Sequence, residues 1–342
     1  SNMVLIGDEA GKAINSTDAN GTVAIGYQAG GAITSGQYNT MVGYLAGKAI
    51  TTGDKNTLFG YQAGGGANGI DTLSDNTFMG YQAGLKIDSG ARNTAIGSQA
   101  MESTAADSDA NDSVAIGYRA LYTLSDGDNN IAIGSYAGDA LTTGASNVVI
   151  GKGAMTNADT QSNCVIIGAD AGFLINNDNA SGTIAVGYQA GYLINQGIDN
   201  TVIGKSAMRG ITTGDRNIAI GALAMGDADA GVSSGNSSAN IAIGNSAMGG
   251  TWADATSDHN IAIGINSMAA ALNEVDNNVA VGSNTLYSLT TGDNNVAVGY
   301  TAGEDITTGE LNVFVGPNAG ANSTVSQRAV GIGFEALNRY GM

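Results

Sequence analysis

The chain is poor in most of what enzymes use. In 342 residues it has one histidine, one cysteine, one proline and one tryptophan. A single histidine rules out a multi-histidine zinc site within one chain. With His259 as the only base of its kind and no G-x-S-x-G, nothing points to a Ser-His-Asp triad. Cys164 cannot close an internal disulfide, and a small buried thiol accounts for it. Charged residues are only 12%, about half the usual share. Basic residues number 12 against 30 acids, a net charge of −18, and they are scattered singly. Phosphate binding needs clustered positive charge, so nucleic acid is not an expected partner. No apolar run approaches the roughly 18–20 residues of a membrane span. The opening Ser1-Asn2-Met3 reads as a cloning remnant, and the chain is expected to be a piece of something longer.

Glycine is abundant, at 53 residues, and it recurs in phase. A pattern N-x-x-φ-G ends at Gly7, Gly26, Gly43, Gly60, Gly80, Gly97, Gly117, Gly134, Gly151, Gly168, Gly187, Gly204, Gly221, Gly244, Gly264, Gly282, Gly299, Gly316 and Gly333. Eleven of the eighteen intervals between these anchors are 17, and none is shorter. The slot four before the anchor (−4) holds Asn39, Asn56, Asn76, Asn93, Asn130, Asn147, Asn200, Asn217, Asn240, Asn260, Asn278, Asn295 and Asn312. Slots −3 and −1 are β-branched with few exceptions, and −2 is mostly alanine. Slot +3 is alanine with two exceptions, and +4 is glycine, methionine or leucine. Full-length copies end in [IL]-T-T-G-D, as at Ile211–Asp215.

Period-two alternation with β-branching predicts a strand before each anchor. The [IL]-T-T segment predicts a second short strand. T-T-G-D then reads as a turn, its glycine supplying a positive φ and its Asp and Asn bonding nearby backbone amides. One unit is therefore one coil of an all-β parallel β-solenoid, in a single continuous domain over residues 4–337. About nineteen coils at the strand spacing of about 4.8 Å would give a rod of very roughly 90 Å. A helix would lose about 1 kcal/mol for each glycine, and a propeller blade needs roughly 40–50 residues.

Stacked coils place each slot above the last. The asparagines are expected to form an amide ladder. The −3/−1 face is expected to fill the thin core, leaving the Ala/Gly face at −2 and 0 for close approach by another chain, which points to a symmetric homo-oligomer. The methionines at +4 (Met101, Met155, Met208, Met225, Met248 and Met268) read as packing, not as a cofactor box. Tyrosine follows the anchor at Tyr27, Tyr44, Tyr61 and Tyr81 in consecutive coils. Those rings pack at a corner or an interface, or offer a sugar-stacking strip.

The repeat N-V-A-[IV]-G-Y-x-A-G…T-T-G-D resembles the shaft repeats of phage tail fibres and bacterial surface fibres. It is also similar to the head repeats of trimeric autotransporter adhesins, whose period is nearer fourteen. The resemblance implies a left-handed β-roll, a homotrimer, and an extracellular place on a virion tail fibre or a bacterial cell surface. The expected function is a structural and adhesive fibre segment attaching to a host or prey cell. It would be non-enzymatic, without cofactor and without membrane insertion, its partner a cell-surface glycan or outer-membrane receptor.

The alternative is a glycan-binding module that uses the insertion loops. The longest insertion, between Gly221 and Gly244, adjoins a three-residue insertion between Gly244 and Gly264, which holds Trp252, Asp254 and His259, the candidate ligand-binding residues. Acidic insertions at Asp107, Asp109, Asp126 and Asp128 loosely fit the alternating oxygens of a calcium loop but lack a bidentate Glu; solvated loops are the plainer reading. A further acidic pair stands at Asp227 and Asp229.

Overall fold

The computed structural model describes residues 2–14, 19–66, 72–104, 108–175, 180–226, 237–252 and 256–338. The chain divides into two compact units, Ser1–Cys164 and Val165–Met342. The first holds nine three-residue strands, from β1 (Val4–Ile6) to β9 (Val148–Ile150), each parallel to the next. The second holds ten, from β10 (Val165–Ile167) to β19 (Val330–Ile332), paired the same way. Every strand covers slots −3 to −1, and the register joins like slots: Ile218 faces Ile241, and Ala219 faces Ala242. This is the expected all-β parallel solenoid.

The inside and outside of the strand are reversed from the expectation. The middle residue is buried in eighteen of the nineteen strands, all but β1; Ala24, Met41, Leu58, Phe78 and Ala219 have no exposed surface. The β-branched residues at −3 and −1 face outward, with Ile133 37% and Ile263 36% exposed. The reason is volume. Buried residues at +4 and +7, such as Met101 and Ile50, already occupy the coil, as do the alanines at +3. Where +4 is methionine or leucine, little room is left for the strand's inward side chain, which is then small.

Two turns explain the rest of the coil. The +3 amide donates to the anchor carbonyl (Ala29 to Gly26, 3.3 Å), and the +7 amide to the +4 carbonyl (Ile33 to Gly30, 3.1 Å). Slots +2 and +4 are left-handed even where they are not glycine: Gln28 has φ 51° and Met101 φ 52°. Unbranched side chains tolerate that region better than β-branched ones, which is why +4 takes Met or Leu and never Val or Ile. The anchor glycines need their identity for another reason. A Cβ on Gly43 would lie 2.3 Å from the Gly60 carbonyl oxygen of the next coil.

The second predicted strand does not form. Consecutive amides at +8 and +9 converge on one carbonyl, as Ser125 and Asp126 do on Thr142 at 2.9 and 3.3 Å. The chain therefore bends there, leaving only the isolated bridges Ser74–Ala91 and Ile87–Ser108 outside the strands among the described residues. The glycine of T-T-G-D has no positive φ. Gly53 is required because a Cβ would sit 1.8 Å from the Leu73 carbonyl oxygen, and the left-handed residue is Lys55, two further on, at φ 58°.

Candidate functional site

Four columns of side chains run along the coils, one buried, one partly buried and two at the surface. The buried column is the asparagine ladder. All thirteen asparagines are at most 1% exposed. Asn39 Oδ1 accepts both the backbone amide and Nδ2 of Asn56 at 2.9 Å. Asn56 Nδ2 also donates to the Leu73 carbonyl at 2.6 Å. The same bonding recurs from Asn278 through Asn295 to Asn312. Where another residue takes the slot, its amide still uses the ladder: Ser113 and Cys164 donate backbone N–H to Asn93 and Asn147 at 3.0 and 2.9 Å. These amides hold coils together and leave nothing for a ligand.

A second ladder was not read from the sequence. The Asp of T-T-G-D bonds across coils, not within its own turn. Asp54 Oδ1 accepts the Gln37 amide at 2.7 Å, and Asp293 Oδ1 accepts that of Asp276 at 2.8 Å. The 17-residue recurrence of Asp was the available signal.

The tyrosines form an exposed stack. Tyr27, Tyr44, Tyr61 and Tyr81 lie with successive centroids 5.1, 5.3 and 5.2 Å apart. Their faces cover one another, so along the stack they offer ring edges and hydroxyls. Beside them run the outward Val, Ile, Phe59 and Met79 side chains of the strands, an apolar surface repeated coil after coil.

Of the insertion-loop candidates, Trp252 and His259 lie among the described residues. Trp252 is 4% exposed, and its indole N–H donates to the Met248 carbonyl at 2.9 Å. The ring packs inward and shows almost no face. His259 is exposed, in a left-handed position of the coil at φ 59°. Asp254 lies outside the described residues, as do Asp107, Asp227 and Asp229.

Asp109, Asp126 and Asp128 do approach one another. Burial, and then a hydrogen bond with Asp126, push the Asp109 carboxyl above its usual range. Asp128 Oδ1 accepts the Asn111 amide at 2.7 Å, and Asp126 Oδ2 accepts the Ser125 hydroxyl at 3.1 Å. Among the described residues no group of three or more His, Cys, Asp or Glu is placed to hold a metal ion. Nor is any helix there long and apolar enough to cross a membrane. Comparison with known protein families matches no family model, and comparison with curated proteins finds no match.

Proposed function

We propose that this chain is a structural and adhesive fibre segment of a phage tail fibre or bacterial surface, acting as a homotrimer outside the cell and without catalysis. One observation carries the reading: the outward β-branched ladders at −3 and −1. Exposed apolar patches beyond a few hundred Å² mark interaction surfaces. This one recurs in register on every coil, and a closed symmetric assembly covers such a stripe without leaving a free copy of it. The number three and the attachment role come from the resemblance to fibre and adhesin repeats. The partner surface is thus the β-branched face, in place of the alanine face expected from sequence. The glycan or outer-membrane receptor belongs to this proposal as the far side of the attachment.

Light scattering is expected to give about three times the mass of one chain. Ile263→Lys, a charge on the outward face, should release monomers, and a monodisperse monomer for the parent chain would refute the assembly. Attachment is tested separately, by asking whether the soluble protein competes with the fibre-bearing particle or cell for its target surface.

A further inference from the structure

Two cations of this acidic chain share a slot on nearby coils. Lys12 and Lys48 occupy the same slot, five residues after Gly7 and Gly43, two coils apart. Between them the slot holds Gly31, which has no side chain to fill the gap. The outcome is an open notch of about 220 Å³ lined by Glu9, Lys12, Gln28, Gly31, Ala32 and Lys48.

The backbone on the notch floor is already used. The Gly31 amide donates to the Gln28 carbonyl and the Ala32 amide to the Lys48 carbonyl, both at 3.1 Å. Side chains are what remain. Glu9 Oε1 accepts Lys12 Nζ, and Glu9 Oε2 accepts Gln28 Nε2, each at 2.5 Å. Those bonds, Lys12 first, hold the Glu9 carboxyl below its usual range, and Lys48 adds to the effect. Glu9 in turn raises Lys12, with a smaller contribution from Tyr27, the first ring of the tyrosine stack. Two ammonium groups and one carboxylate line the notch, with Asp8 also close enough to Lys12 to attract it, in a chain of net −18.

We infer that this notch binds an acidic sugar residue, a hydroxylated ring bearing a carboxylate. The anion meets Lys48, which makes no ion pair among the described residues, and the donors of Lys12 not spent on Glu9; each ammonium has three. The second lone pairs on Glu9 and the Gln28 carbonyl oxygen accept from ring hydroxyls. A bare anion uses only half of this set, and a neutral sugar only the other half. Tyr27 precedes the lining residue Gln28, acts electrostatically on Lys12, and begins the stack through Tyr44, Tyr61 and Tyr81. A polymer of such residues would continue along it. The biological setting rests on the surface-attachment reading; the chemistry of the notch does not.

The test titrates the full chain at low salt with glucuronate, methyl glucoside and acetate, followed by calorimetry or ligand-observed NMR. Glucuronate is expected to bind at least about tenfold more tightly than either partial mimic, and at least about tenfold more weakly to Lys48→Gln and to Lys12→Gln. Lys48 is exposed, so Lys48→Gln should unfold like the parent, which separates a lost site from a lost fold. An oligouronate that binds more tightly than glucuronate extends the site along the tyrosines as a polysaccharide track. Equal affinity makes it a single-ring site for free or terminal acidic sugar. Acetate binding as tightly as glucuronate, no effect of Lys48→Gln, or no glucuronate binding at all would overturn the inference. Attachment that persists in Lys48→Gln while glucuronate binding is lost leaves the fibre reading intact and dissociates it from this notch.

Discussion

Two stretches of the solenoid fill the same thin core in opposite ways. In the coils anchored at Gly43, Gly60 and Gly80 the strand supplies the bulk: Met41, Leu58 and Phe78 point inward, and slot +4 is Gly47, Gly64 and Gly84. In the coils anchored at Gly221, Gly244 and Gly264 the strand gives only Ala219, Ala242 and Ala262, and slot +4 gives Met225, Met248 and Met268. A Cβ on Gly84 would lie 2.4 Å from the Phe78 ring, so the two slots compete for one volume. In these two stretches the coil keeps its interior filled from either slot. That is the behaviour expected of close-packed interiors, where total volume matters more than the identity of the contributor.

The comparison breaks hardest at Phe78. Phe78→Ala alone should cost about 3–5 kcal/mol in denaturant unfolding, because it empties a fully buried ring site. Gly84→Met alone should cost about 1–3 kcal/mol by overpacking. Together they rebuild the Gly244-type coil, and the double variant should recover most of the loss. Methionine suits the slot's left-handed backbone, as Met248 shows at φ 50°. If the two costs simply add, the slots are independent and the shared-volume account is wrong.

The asparagine ladder is common to both stretches and sharpens the comparison by staying constant while the core varies. Asn56→Leu removes the acceptor of the Asn76 amide, 3.1 Å away, and the donor to the Leu73 carbonyl. Leaving those buried groups unpaired should cost about 2–4 kcal/mol. Asn56→Ser should cost less, since Ser113 already fills this slot elsewhere and its hydroxyl accepts the Asn130 amide at 3.1 Å. Equal losses for the two variants would mean that the ladder acts by packing and not by hydrogen bonding.

These particulars show what the sequence could and could not tell. The coil, its period, the strand position and the Asn ladder were legible because stacking forces every slot to repeat the same bonding. The parity of the strand was not. β-Branched residues such as Ile218 and Ile220 signal a strand whichever way they point, and alanine at −2 signals only a lack of space. Branched residues match a core pattern when the strand is taken alone, without the turn residues Met225 and Met248 that occupy the interior. The glycine of T-T-G-D misled for a similar reason: a neighbour coil's carbonyl demands it, and a single coil's turn chemistry does not reveal that contact. The notch was hidden too, since Lys12, Gly31 and Lys48 become neighbours only once the coils are counted and stacked.

The smallest expected effect concerns a slot where one coil departs from its neighbours. Asp139 is half-buried on the Gly134 coil, and its Oδ1 is buried without a hydrogen-bond partner. Desolvation raises its pKa to about 6, partly offset by backbone bonds and by Arg119. The sign follows from proton counting. Between the ordinary aspartate value near 3.8 and about 6 the folded chain holds a proton that the unfolded chain has lost. Stability is therefore fully present below about 4 and falls as the pH rises through 6. Half exposure reduces the effect to under about 1 kcal/mol by solvent screening. Asp139→Asn, neutral throughout, should remove this component: the parent and variant melt alike near pH 4, and the variant melts higher at pH 7. A parent-minus-variant difference that does not change between those two pH values would show that Asp139 is ionised in the folded coil across that range, with its charge met by Arg119 after all.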